Sequence, residues 1–94
     1  MMKRYVIERD LPGVGAMSES ELGGAAKTSN GALAQISGLQ WEHSYVTADK
    51  TFCIYLAESE EHIRRHAEVS GFPATRITEV SGVIDPTTER CLLG

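Results

Sequence analysis

The sequence predicts an α+β sandwich, one antiparallel sheet carrying two helices on a single face, and three observations lead there. Runs rich in β-branched and aromatic residues stand near each end of the chain and as an adjacent pair in its middle. Helical periodicity with recognisable start signals fills the two gaps between them. The chain has 94 residues, too few for a second core after the first is built, so every element must share one domain, residues 1–94.

The first strand is read from Lys3 to Arg9, and Asp10-Leu11-Pro12-Gly13 ends it with a proline and a glycine. Ser18-Glu19-Ser20-Glu21 then has the form of a capping box, in which the Ser18 hydroxyl accepts from the Glu21 amide while the Glu21 carboxylate reaches back. From that start Leu22, Ala25, Ala26, Ser29, Leu33 and Ile36 recur at spacings of three and four and so share one face, with Gly38 as a left-handed terminus. Gly23, Gly24 and Gly31 each cost up to ~1 kcal/mol relative to alanine. A close approach of helix to sheet would account for them.

Trp41 to Leu56 reads as a hairpin of two strands about a short polar corner, and it holds the only Trp and two of the three Tyr. Ser59 with Glu60 and Glu61 starts the second helix, whose positive dipole end favours those carboxylates. Ile63, Ala67 and Ser70 mark its inner face, and Gly71-Phe72-Pro73 ends it. Thr75 to Ile84, rich in Val, Ile and Thr, is the fourth strand, and Asp85-Pro86-Thr87-Thr88 turns the chain out of the sheet. The order β-α-β-β-α-β with these lengths is that of a ferredoxin-like sandwich.

Composition removes several function classes. The net charge is −4 and no basic run exceeds the pairs Lys3-Arg4 and Arg64-Arg65, so nucleic acid is not an expected partner. No apolar run approaches the ~18 residues a spanning helix needs, and no long apolar segment follows the charged N-terminus, so neither a membrane partner nor a secretory signal is expected. The expected location is the cytoplasm, with Cys53 and Cys91 as thiols.

A sheet with helices on one side leaves its other face bare, and a two-fold homodimer through that face would cover it and enclose a pocket for a metal ion or a small molecule. A three-residue corner, Ala48-Asp49-Lys50, pairs Tyr45 with Cys53 and His43 with Tyr55. It turns Val46, Phe52, Ile54 and Leu56 toward the helices and leaves Trp41, His43, Tyr45, Cys53 and Tyr55 on the open face. A two-residue corner, Asp49-Lys50, would instead put His43 and Cys53 on opposite faces. Glu79 looks into the pocket if Val80 packs under the helices, and Arg9 is a candidate partner for its charge.

The expected pocket is thus lined by Arg9, Trp41, Tyr45 and Tyr55, with His43, Cys53 and Glu79 as candidate metal ligands, because imidazole and thiolate suit nickel, zinc or copper. The structural alternative is a strand His bonded to Tyr55 beside an inert buried thiol. His62 and His66 have chelating spacing on the second helix, but without a third ligand they read as structural. A catalytic alternative, by analogy of fold, makes His43 and Glu79 base and acid toward a small molecule, as in isomerase or oxygenase sandwiches. No nucleophile elbow or phosphate loop supports it. A third alternative is a dimer that only scaffolds a partner.

Three stretches carry a family resemblance: Tyr5-Val6-Ile7-Glu8-Arg9; the hairpin with Trp41, Ser44-Tyr45-Val46, Asp49, Thr51 and Cys53; and Gly71-Phe72-Pro73-Ala74 followed by Ile77-Thr78-Glu79-Val80. Together they resemble a family of small bacterial proteins of unknown function that includes a nickel-binding protein, and the resemblance spans nearly the whole chain. It implies a ferredoxin-like fold, a dimeric α+β barrel, and nickel or another divalent transition metal as cofactor. It assigns no ligand set to residues here.

Overall fold

The computed structural model describes residues 1–93. In chain order these form β1 (Lys3–Asp10), a 3-10 turn (Val14–Ala16), α1 (Glu19–Leu33), β2 (Leu39–Val46), β3 (Lys50–Ala57), α2 (Glu60–Ser70), β4 (Arg76–Glu79) and a C-terminal 3-10 segment (Pro86–Leu93). The strands make one antiparallel sheet in the order β2-β3-β1-β4. With α1 and α2 on one face this is the ferredoxin-like βαββαβ sandwich. Among the described residues no helix is long and apolar enough to cross a membrane.

Local chemistry explains the helix ends. The Glu21 amide donates to Ser18 Oγ at 3.1 Å and the Ser18 amide donates to Glu21 Oε1 at 3.0 Å, which completes the capping box and holds the Glu21 carboxyl below its ordinary value. Gly71 caps α2 with φ at 81°, a conformation glycine adopts without steric cost. Gly38, also at positive φ, lies beyond the end of α1 rather than on it, because α1 stops at Leu33. Ser59 starts α2 without capping it, since its Oγ is hydrogen-bonded to His62 Nδ1 at 2.8 Å.

The expected close contact between α1 and the sheet is absent at the glycines. A Cβ on Gly23, Gly24 or Gly31 would meet nothing within 4 Å, so these residues face solvent. β4 is also shorter than expected, four residues instead of the whole run to Ile84, because the chain leaves the sheet after the Val80 amide bonds to the Arg4 carbonyl.

The hairpin is where expectation and structure part. Its corner is Ala48-Asp49, closed by the Thr47 amide donating to the Lys50 carbonyl, and Val46, Tyr45, Ser44 and His43 oppose Thr51, Phe52, Cys53 and Ile54. A β-bulge between Trp41 and His43 then shifts the ladder so that Trp41 opposes Tyr55. One extra residue reverses the alternation, so Trp41 and His43 point to opposite faces.

The core accordingly holds Tyr5, Ile7, Ile36, Leu39, Cys53, Tyr55, Ala57 and Ile63. Cys53 and Tyr55, expected on the open face, lie under the helices with Trp41. Phe52, Ile54 and Leu56, expected under the helices, are half-buried on the open face beside Val6. Both sets of β3 residues are apolar, so alternation in the sequence did not separate them.

Candidate functional site

Two regions of the molecule carry chemistry, one on each side of the sheet. On the open face, Arg4 Nε donates to Glu42 Oε1 at 2.7 Å, a pair that spans β3 and holds the Glu42 carboxyl below its ordinary value. His43 Nε2 is 3.1 Å from the Tyr45 hydroxyl and the two rings meet edge to face, while Tyr45 remains 60% exposed. These groups surround the apolar strip of Val6, Phe52, Ile54 and Leu56.

Under the helices lies a cavity of ≈ 230 Å³. Leu22, Ala25, Ala26 and Ser29 of α1 form its roof, Trp41, Cys53 and Tyr55 its floor, and Arg9 and Phe72 stand among its walls. Small residues on α1 create it, because alanines at 25 and 26 do not reach the sheet. Trp41 lies nearly parallel to Tyr55, at 17° and 6.4 Å between centroids, and its Nε1 donates to Ser44 Oγ at 2.9 Å.

A polar chain runs out of this cavity into the core. The Tyr55 hydroxyl is 3.2 Å from Ser29 Oγ, which is 3.2 Å from His66 Nε2, and that nitrogen also lies 3.3 Å from the Ser29 carbonyl oxygen. A carbonyl only accepts, so the proton is placed on Nε2, and His66 Nδ1 is left buried without a partner. Burial lowers the affinity of the His66 imidazole for a proton and raises the pKa of the Tyr55 phenol.

Arg9 is the remaining member. It is 3% exposed, its guanidinium lies 5.9 Å from the centroid of the Tyr55 ring, and its Nη1 donates to the Pro73 carbonyl at 2.9 Å. Its Nη2 is buried with no hydrogen-bond partner.

The candidates named from sequence are therefore divided. Arg9, Trp41 and Tyr55 line one cavity, on the helix side of the sheet, and Tyr45 stands on the other side. His43 is on the open face and Cys53 under the helices. Glu79 opposes the core residue Tyr5, so it belongs to the helix side of the edge strand, not the open face, and Lys3 rather than Arg9 lies near it, at 3.5 Å. His43 and Glu79, paired as base and acid in the catalytic alternative, are thus on opposite faces. His62 and His66 do not share a ligand, since His66 turns inward to Ser29. Among the described residues no group of three or more His, Cys, Asp or Glu could hold a metal ion within one chain.

Ser29 and His66 were not singled out as site residues from sequence. A serine within the apolar stripe of α1 is the signal that points to Ser29, because a buried hydroxyl requires a partner. For His66 the signal is its place at the edge of the inner stripe of α2.

Comparison with known proteins gives a fold and a family. The crystal structure of SCO4226 from Streptomyces coelicolor A3(2) is similar with a TM-score of 0.73 and 17% identity, covering 86% of this chain and 99% of that one. A search of curated proteins finds no match. The sequence-level match runs over residues 5–80, from β1 through β4, and on that extent the chain belongs to the family described as nickel responsive protein SCO4226-like.

Proposed function

We propose that this protein acts in a response to nickel by binding the ion, and that it does so as a homodimer joined through the open sheet face. The observation that carries the proposal is membership of a family described as nickel responsive, over residues 5–80. One chain lacks a complete donor set among its described residues, which is why the second copy is part of the proposal. A two-fold contact presents each residue twice. His43 is the imidazole exposed on that face, and imidazole nitrogen suits nickel. Cys53 lies on the other side of the sheet and Glu79 lies near Lys3, so neither is assigned to the ion.

Calorimetric titration of the native protein and of His43→Ala with nickel and with zinc, alongside sedimentation, tests this. Binding by a native dimer, weakened about tenfold or more in the variant, is the expected result, since losing one ligand costs on the order of a kcal/mol or more. A monomer that binds no nickel would overturn the proposal. Unchanged affinity in His43→Ala would remove His43 and direct attention to His62, whose Nε2 lies 3.7 Å from Glu58 Oε2.

A further inference from the structure

The cavity under α1 is independent of the nickel proposal, and its chemistry selects a ligand class. Its walls are aliphatic and aromatic except for a few hydroxyls, the Cys53 thiol and one cation, Arg9. Arg9 makes no ion pair with any described residue, and whereas Lys27, Arg65 and Arg90, which also make none, are exposed to water, Arg9 is buried. A guanidinium that is 3% exposed is costly to leave uncompensated. Its Nη1 is used by the Pro73 carbonyl and its buried Nη2 has no partner, so the guanidinium keeps unused donors that a small turn of its plane would bring to an entering ligand.

We propose that this cavity binds a compact apolar monocarboxylate, with the carboxylate paired to the Arg9 guanidinium and the hydrocarbon part held between Leu22, Ala26, Trp41 and Phe72. Charge count fixes the class. A single buried cation neutralises one negative charge, so a phosphate dianion or a dicarboxylate would carry an unpaired charge into an apolar space, and an amine would add a second cation. Size fixes the scale. A cavity of ~150 Å³ holds benzene, so ≈ 230 Å³ accommodates a ring with a short acid-bearing chain. The hydroxyls of Tyr55 and Ser29 are already hydrogen-bonded to each other, which leaves the guanidinium as the principal anchor.

Phenylacetate is a suitable probe, with phenylacetamide and phenethylamine as its neutral and cationic counterparts. Trp41 is the only tryptophan and stands in the cavity wall, so its emission reports occupancy, and calorimetry gives the affinity. Phenylacetate should bind the native protein at least about tenfold more tightly than phenylacetamide, as a charge-assisted pair requires, and phenethylamine should not bind. Arg9→Met should abolish that preference while leaving phenylacetamide binding in place, a readout that general loss of structure would not produce. Ala26→Leu should block both ligands by filling the space, with the fold checked by circular dichroism. Equal affinity for acid and amide, or full retention of the preference in Arg9→Met, would overturn the proposal, as would absence of phenylacetate binding at millimolar concentration. None of these readouts depends on nickel, so the two proposals fail separately.

Discussion

Gly15 lies against the backbone of Ala48, so close that a Cβ at position 15 would stand 2.7 Å from the Ala48 Cα and 2.7 Å from the Thr47 carbonyl oxygen. The Gly15 amide donates to the Ala48 carbonyl, the Leu11 amide to the Asp49 carbonyl, and the Gly13 amide to Asp49 Oδ1, each at 2.9 Å. The loop after β1 thus grips the hairpin corner from outside. Thr47 Oγ1 closes the corner from within by accepting from the Lys50 amide at 3.1 Å.

Gly15→Ala should therefore destabilise the protein. The atoms it meets belong to the backbone and not to a flexible side chain, so the loop or the corner must move, with a loss of about 1 to 3 kcal/mol. A urea titration measures it. An unchanged midpoint would show that the loop yields freely and does not hold the corner.

Ser29→Ala should cost about 1 to 3 kcal/mol, because it removes the hydroxyl shared by Tyr55 and His66 and leaves the buried Tyr55 hydroxyl without a partner, while His66 Nε2 keeps the Ser29 carbonyl. Tyr55→Phe made together with Ser29→Ala should cost less than the sum of the two single changes, since both act on one contact. Additive losses in the same titration would mean that the contact contributes nothing.

His66 should give the stability a pH dependence below neutrality. Burial lowers its folded-state pKa, so the neutral form is favoured and its contribution is complete above the unfolded value near ~6.5. As the pH falls from there through the lower folded value, the unfolded chain takes up a proton that the folded one resists, and stability drops by at most ~1.4 kcal/mol per pH unit. Comparing native protein with His66→Gln between about pH 5 and 7, above the range where carboxylates titrate, isolates the effect. Equal slopes would count against a buried neutral imidazole.

Gly24→Ala should stabilise the protein by roughly 0.5 to 1 kcal/mol, since glycine in a helix interior carries an entropic cost and a Cβ there meets nothing within 4 Å. Thermal unfolding would show the raised midpoint. A lowered one would mean that position 24 touches something in solution that the isolated chain does not.

The element order, both helix starts and the Gly71 terminus were legible in the sequence because each depends on neighbours within a few residues. Ser18 finds Glu21, and Gly71 meets its own last turn. The inner stripe of α1 was legible too, since Ser29 is buried and Leu33 packs against the core as their spacing requires, while Ile36, read as its next member, is buried beyond the helix end.

Which face each hairpin residue occupies was decided only by the tertiary structure. Phe52, Ile54 and Leu56 alternate with Cys53, Tyr55 and Ala57, and both sets are apolar, so hydrophobic pattern gave β3 no preferred side. The choice came from contacts distant in sequence: the loop at Gly13 and Gly15 on the corner, Arg4 on Glu42 across β3, and the bulge that turns Trp41 inward while His43 stays out. The cavity was hidden for the same reason. Arg9, Ser29 and Tyr55 come from β1, α1 and β3 and Phe72 from the loop after α2, and only folding brings a cation, two hydroxyls and an aromatic wall around one space.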